Sequence, residues 1–147
     1  MMMRKVLWMA ACLSVIPQSQ AVLVSEPISF ARSADEVSAL IDDCLQAMNA
    51  VLEVYEGVAD TRSADAAAER LKPLHLRMQQ TVDKVNSLGE VDAATQNLLM
   101  TRLLPMIIVN ASRTETAFDR IRQNAYYGSE ALRHFMEVEL RPAGQEA

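Results

Sequence analysis

The sequence holds few cysteine, glycine and aromatic residues. Two cysteines, four glycines and five prolines occur among 147 residues, and aromatic residues make up 5% of the chain. Half of the residues are apolar, but no segment alternates apolar and polar residues over the length of a strand. This composition excludes a disulfide framework and argues against a multi-stranded sheet, so an all-α protein is expected.

Motifs that carry chemistry are missing from the sequence as well. The chain has no glycine-rich phosphate loop, no Gly-x-Ser-x-Gly turn, no Cys-x-x-Cys-His and no Glu-x-x-His. His75 and His134 each lack a second histidine or cysteine three or four residues away, so both are expected to be solvated or hydrogen-bonded at the surface. The sequence therefore predicts no catalytic, cofactor or metal site, and we expect a protein that is not an enzyme.

The N-terminus has the three parts of a secretory signal peptide. Arg4 and Lys5 are its basic residues, residues 6–17 form its apolar core, and Ser-Gln-Ala at residues 19–21 offers a cleavage site. The apolar stretch is shorter than the roughly 20 residues of a membrane-spanning helix. We therefore expect residues 1–21 to be a signal peptide, and the mature protein to be exported, periplasmic or extracellular, without a transmembrane span.

A lipid anchor is the alternative interpretation of this region. Residues 9–12, Met-Ala-Ala-Cys, resemble a lipobox that would be acylated at Cys12, but the residues after Cys12 stay apolar where a polar tether is expected. Cleavage after Ala21 fits better and leaves Cys44, which is expected to be a small buried residue. The mature chain then has twelve basic and nineteen acidic residues, and its net charge of about −7 argues against nucleic-acid binding.

A long amphipathic helix is predicted directly after residue 33. Ser33 and Glu36 have the spacing of a capping box, and Gly57 is placed to end the helix. Apolar residues recur at steps of three and four and predict one buried stripe. The stripe consists of Val37, Leu40, Ile41, Cys44, Leu45, Met48, Val51, Leu52 and Tyr55.

A second helix of similar length is predicted between Ser63 and Gly89. Because the link between the two helices is short, they should form an antiparallel hairpin, and Pro73 should kink the second helix near residues 69–71. Its inward positions are Ala64, Ala67, Ala68, Leu71, Leu74, Met78, Val82, Val85 and Leu88.

A third helix is predicted from Asp92 to about residue 124, with a bend or a break at Pro105. Its inward positions are Ala94, Leu98, Leu103, Ile107, Ala111, Thr114, Phe118 and Ile121. Residues 98–109 are apolar on nearly every side and therefore need to be covered on every side. Either a short last helix, residues 129–140, or another molecule should provide that cover.

The loop between the third and fourth helices carries two adjacent tyrosines, Tyr126 and Tyr127. They are expected either to close the end of the bundle with their hydroxyls in water or to form a contact surface. Together these elements predict a three- to four-helix bundle of residues 33–141: a long antiparallel helical hairpin, a third long Pro-kinked helix and a short C-terminal helix. Residues 22–32 and 142–147 are expected to be flexible tails.

The apolar belt of residues 98–109 is the best candidate for a functional surface. A patch of this kind predicts a protein partner or a homo-oligomer, so the chain is interpreted as an interaction module. The candidate interface residues are Leu98, Leu99, Leu103, Leu104, Met106, Ile107, Ile108, Tyr126 and Tyr127. The alternative function is a periplasmic carrier that holds a small molecule or haem between helices opened by Pro73 and Pro105.

Two segments resemble known proteins. Residues 60–72 and 126–132 are similar to small exported bacterial helical proteins of unknown function, a resemblance that implies no activity. The helical hairpin also resembles the periplasmic soluble cytochrome b bundle, in which a methionine and a histidine bind haem. That second resemblance implies haem ligand roles for Met48 and His134, although the helix lengths and the belt around Pro105 differ from the bundle.

Overall fold

The computed structural model describes residues 33–140 of the chain. Its helices are α1 (Ala34–Glu56), α2 (Thr61–Asn86), α3 (Ala93–Leu98), α4 (Leu104–Gln123) and α5 (Glu130–His134). The π-helical segments Leu99–Leu103 and Phe135–Glu139 join α3 to α4 and extend α5, and the short 3-10 turn Ala125–Gly128 leads from α4 to α5. No strand occurs within residues 33–140, and the predicted all-α bundle is confirmed.

Several predictions concern residues outside this range. They are the signal peptide of residues 1–21, the acylation alternative at Cys12, and the tails of residues 22–32 and 142–147. These expectations lie outside the described residues, and the predicted bundle extends one residue beyond them, to Arg141.

Helix α1 begins and ends where the sequence predicts. The Ser33 hydroxyl accepts a hydrogen bond from the Glu36 amide at 3.2 Å, and the Glu36 carboxylate accepts one from the Ser33 amide at 3.0 Å. These bonds satisfy amides that lack helical partners at a helix start. The predicted stripe is buried apart from Leu45, which is half-buried, and Cys44 lies within the core.

Helix α2 begins two residues before the predicted start. Asp60, and not Ser63, is its N-cap, because the Asp60 carboxylate accepts the Ser63 amide at 2.7 Å while the Ser63 hydroxyl accepts the Asp60 amide at 3.0 Å. The Ser63 amide bond holds the pKa of Asp60 below its usual range. Pro73 neither ends nor splits the helix, since its ring lies on the exposed side, where helix carbonyls can tilt toward water.

Helices α1 and α2 form the predicted antiparallel hairpin. Tyr55, near the end of α1, meets His75 in the middle of α2. Arg77 donates a hydrogen bond to the side chain of Gln46, about two and a half turns before Tyr55. Apolar residues of both helices share one core, and the alanines at the start of α2 are buried against α1. The hairpin thus forms as the two apolar stripes require.

Pro105 is accommodated by a widened turn and does not split the third helix. The Leu104 amide donates to the Leu99 carbonyl, five residues earlier, within the π-helical segment that precedes Pro105. A proline ring crowds the carbonyl four residues before it, and a wider turn relieves that contact. The helix starts at its predicted cap, Asp92, but its first turn buries Thr95 and leaves Ala94 exposed, contrary to the predicted stripe.

Helices α1 and α4 run parallel and are joined by a seam of polar pairs. Asp42, Asn49 and Glu56 recur every seven residues along one edge of α1. Their partners, in the same order along the chain, are Arg102, Asn110 and Arg113. Hydrogen-bonded pairs at a helical repeat fix both the vertical register and the rotation of α4 on α1.

Helix α5 packs beside α2 and covers only one end of the bundle. The Ser129 hydroxyl donates to Asp65 at 2.6 Å near the start of α2, and Lys72 pairs with Glu139 at 3.1 Å at the end of the α5 extension. The described chain ends there, at Leu140. Four helices therefore meet at the end that holds Tyr55, whereas three helices form the other end.

Candidate functional site

One side of α4 presents apolar side chains to solvent. We call Pro105, Met106, Ile108 and Val109 the outer face of α4. Met106, Ile108 and Val109 are 37%, 61% and 48% exposed, and Pro105 is exposed as well. Residues three or four positions apart are neighbours on a helix, and Pro105 with Ile108, Pro105 with Val109 and Met106 with Val109 have these spacings, so the four side chains form one patch.

The opposite side of α4 packs into the core. Ile107, Asn110, Ala111 and Thr114 are buried there, and the Asn110 amide donates to the Asn49 side chain at 3.0 Å. Because turning the outer face inward would expose these residues and break the Asn110 bond, the outer face stays in water in this fold. Its exposure is a consequence of how the seam holds α4.

Ion pairs flank the outer face at both ends. Below it, Arg102 donates to Asp42 and to the Ser38 hydroxyl, both at 2.6 Å. Above it, Arg113 binds both carboxylate oxygens of Glu56, at 3.0 and 2.7 Å. An apolar centre with a charged rim is the usual composition of a protein interaction surface.

The predicted interface residues divide between this surface and the core. Met106 and Ile108 lie on the outer face, whereas Leu103 and Ile107 are buried in the core of the same chain. Leu98, Leu99 and Leu104 are half-buried. Val109 and Pro105 belong to the patch but were not among the predicted residues. The burial of Leu103 and Ile107 agrees with the inward stripe predicted for the third helix, so their place among the interface residues is wrong.

The two tyrosines do not form an exposed contact surface. Tyr126 is buried, and its hydroxyl donates to Glu137 at 2.6 Å, so neither the predicted contact role nor the predicted solvation of its hydroxyl holds. Tyr127 is half-buried, and its carbonyl accepts the Thr61 hydroxyl at 2.6 Å. Ala125, Tyr126 and Tyr127 all adopt positive φ values, from 47° to 55°, which makes this a left-handed turn.

A tyrosine–histidine pair, in which Tyr55 is buried and His75 half-buried, lies where the four helices meet. The Tyr55 hydroxyl and His75 Nε2 share a hydrogen bond at 2.8 Å. Phe118 of α4 packs edge-on against Tyr55, with centroids 4.6 Å apart, and Phe135 lies 5.5 Å from the imidazole. We call Tyr55, His75, Phe118 and Phe135 the aromatic cluster. His75 is hydrogen-bonded, as one alternative of the prediction had it, but it is half-buried beside Phe135; His134 is exposed as predicted.

Burial keeps both members of this pair neutral. It lowers the pKa of His75 to about 4 and raises the pKa of Tyr55 well above its usual value. His75 Nδ1 is buried and has no hydrogen-bond partner in the described part of the chain. A neutral imidazole held by a neutral hydroxyl beside phenyl rings stabilises the packing of the bundle.

The residues named for haem binding lie in different environments. Met48 is buried in the core of α1, whereas the exposed His134 lies 3.8 Å from Glu139. Among residues 33–140, no three side chains of histidine, cysteine, aspartate or glutamate come together as a metal site would require. In the same range, no helix combines the length and the apolar character needed to cross a membrane.

Comparison of the chain with known protein families, with curated proteins and with solved structures gave no match.

Proposed function

We propose that the chain is an exported, non-enzymatic helical protein that binds another protein molecule through the outer face of α4. The observation that carries the proposal is the clustering of Met106, Ile108 and Val109, which are all substantially exposed within four residues. Single exposed apolar residues are common on proteins, but adjacent ones that share a helix side are typical of contact surfaces.

The energetics support binding of modest strength. Removing apolar surface from water stabilises a complex by roughly 25 cal/mol per Å², and the outer face presents three large aliphatic side chains in one patch. Arg102 and Arg113 at its rim are already paired with carboxylates of α1, so a partner need not supply charges to them. The surface therefore favours an apolar partner of limited size.

The simplest partner is a second copy of the chain. Two copies related by a twofold axis would place one outer face against the other, which is the commonest arrangement of homo-oligomers. A patch of this size is smaller than the roughly 800 Å² that each partner buries in a stable complex, so the dimer is expected to be weak and to form only at high concentration.

Sedimentation analysis of matched variants tests this proposal. Ile108→Glu should abolish self-association, because it places a charge at the centre of the apolar patch. Leu76→Glu is the matched control, since Leu76 is 60% exposed on α2 and Ile108 is 61% exposed on α4. Both variants should keep the helical circular dichroism of the wild type.

Two results would count against the proposal. The wild type could remain monomeric at several hundred micromolar, or Leu76→Glu could weaken association as much as Ile108→Glu does. Export is tested on the same sample, because the mass of protein taken from the exported fraction should correspond to a chain that starts at Val22.

A further inference from the structure

The methionines of the bundle fall into two groups by exposure. Residues 33–140 contain five of them. Met100 and Met106 are 46% and 37% exposed, whereas the other three are at most 5% exposed. The buried three are Met48, Met78 and Met136. Because a dissolved oxidant reaches a thioether at the surface without opening the fold, the structure leaves two of these five side chains open to oxidation.

Met106 is the member of the outer face that an oxidant can change. Pro105, Ile108 and Val109 have saturated hydrocarbon side chains without sulfur. Met106 is a neighbour of Val109, three residues later on α4, so its sulfur belongs to the exposed patch. A chemical change at that sulfur therefore alters the outer face and not the buried side of α4, which holds Ile107.

The reaction adds one oxygen atom to the Met106 sulfur. The thioether gives an electron pair to a peroxide, an S–O bond forms, and the O–O bond breaks, so that hydrogen peroxide leaves as one molecule of water. The sulfur is oxidised and the peroxide is reduced. In the reverse reaction, a methionine sulfoxide reductase removes the oxygen as water while two thiols are oxidised to a disulfide. The modification is thus reversible, and it turns an apolar side chain into a polar one.

A sulfoxide opposes the burial of the outer face. In the association proposed above, Met106 of each copy leaves water, and a buried sulfoxide oxygen without a donor loses its hydrogen bonds to water. The cationic side chains at the rim, Arg102 and Arg113, are already paired with Asp42 and Glu56. The added oxygen therefore weakens an apolar contact that the thioether favours.

We propose that Met106 is a reversible oxidation site, at which peroxides convert the outer face of α4 into a polar surface and so lower its affinity for a second copy of the chain. The effect on association rests on the proposed function, whereas the reactivity of Met106 does not. Because the dimer is weak, Met106 is accessible in the monomer that predominates in dilute solution. Met100 provides a comparison within the same chain, since it is similarly exposed but lies outside the outer face.

Peptide mapping of the full chain treated with dilute hydrogen peroxide tests the site. The peptides that carry Met100 and Met106 should gain one oxygen at least about tenfold faster than those that carry the three buried methionines, which the oxidant reaches only when the bundle opens. The helical circular dichroism should not change. Conversion of Met106 as slowly as the buried methionines, or loss of helix when it is converted, would overturn the oxidation site and leave the proposed function standing.

Two leucine variants test the effect on association. In Met100→Leu, as in the wild type, peroxide should weaken self-association roughly tenfold, and a methionine sulfoxide reductase with dithiothreitol should restore it. In Met106→Leu, the affinity measured before treatment should be unchanged after it. An equal weakening in Met106→Leu would overturn the proposal, because the effect would then arise elsewhere in the chain. A wild type that never associates would overturn the proposed function, and rapid conversion of Met106 in that chain would still support the oxidation site.

Discussion

The aromatic cluster and the outer face of α4 show two fates of apolar side chains in one bundle. In the cluster, α1, α2, α4 and the extension of α5 each contribute one ring-bearing residue, and Tyr55 is completely buried. On the outer face, aliphatic residues of comparable apolar character remain in water. The described part of α5 and its extension packs along α2 beside the aromatic cluster and contacts Lys72 through Glu139, whereas α4 turns its outer face away from these elements.

The polar seam explains why α4 does not rotate to bury its outer face. Asn110 is 1% exposed and donates to Asn49. A rotation of α4 that turned its outer face inward would therefore break a buried hydrogen bond. An unpartnered buried amide costs roughly 1–3 kcal/mol. The seam therefore selects one orientation of α4, and the exposed patch follows from that selection.

The largest expected effect separates the two regions by stability. Tyr55→Ala should lower the free energy of unfolding by about 3–5 kcal/mol, because it removes a fully buried ring and leaves His75 without its hydrogen bond. Val109→Ala should change it by no more than about 0.5 kcal/mol, because the side chain is half in water. Urea unfolding followed by circular dichroism measures both values. Comparable losses of unfolding free energy for the two variants would show that the aromatic cluster stabilises the bundle no more than the outer face does.

The second prediction concerns the pH dependence of the aromatic cluster. Burial lowers the pKa of His75 from 6.5 to about 4 in the folded state, so the unfolded chain takes up a proton first as the pH falls. The free energy of unfolding should therefore decrease between about pH 6.5 and pH 4 by up to about 3 kcal/mol, and this contribution should level off below pH 4.

Histidine variants isolate this effect from that of the carboxylates. His75→Gln can still hydrogen-bond to Tyr55 but cannot take up the proton, so its stability curve should lack the slope between pH 6.5 and pH 4. His134→Gln should keep the slope, because His134 is exposed on α5. Parallel curves for the wild type and His75→Gln would show that the cluster does not resist protonation.

Periodicity was sufficient to predict the helices but not their contacts. Spacing by three and four residues places the stripes of α1 and α2, and the side-chain chemistry of Ser33 and Asp92 places two helix starts. Asp60 was missed because both Asp60 and Ser63 can cap a helix, and the choice depends on the backbone around them. Local sequence thus determines most of the fold.

The candidate site was only partly predictable for a physical reason. Residues 98–109 are apolar on nearly every side, so the stripe places Leu103 and Ile107 inward but does not show which of the other apolar side chains stay in water. That choice depends on long-range pairs, above all Asn110 with Asn49, and on the π-helical turn before Pro105. The burial of His75 likewise depends on Phe135, which is 60 residues away in the sequence and is brought close by the left-handed turn.

The third and smallest prediction concerns that turn. Ala125 is exposed and has a φ of 47°, a conformation that costs an L-residue roughly 1–2 kcal/mol and glycine almost nothing. Ala125→Gly should therefore raise the free energy of unfolding by about 0.5–1 kcal/mol, once the greater freedom of glycine in the unfolded chain is subtracted. The midpoint of urea unfolding measures this gain.

A helical alanine provides the matched control for the turn. Ala66 is exposed within α2, where glycine should lower the free energy of unfolding by about 1 kcal/mol, so the two alanine-to-glycine changes should have opposite signs. A loss in both would mean that the left-handed turn carries no strain. A gain at Ala125 alone would show that the backbone of the turn is strained. The buried Tyr126 and its hydrogen bond to Glu137 then hold α5 in place despite that strain, and the packing of α5 over the aromatic cluster outweighs its cost.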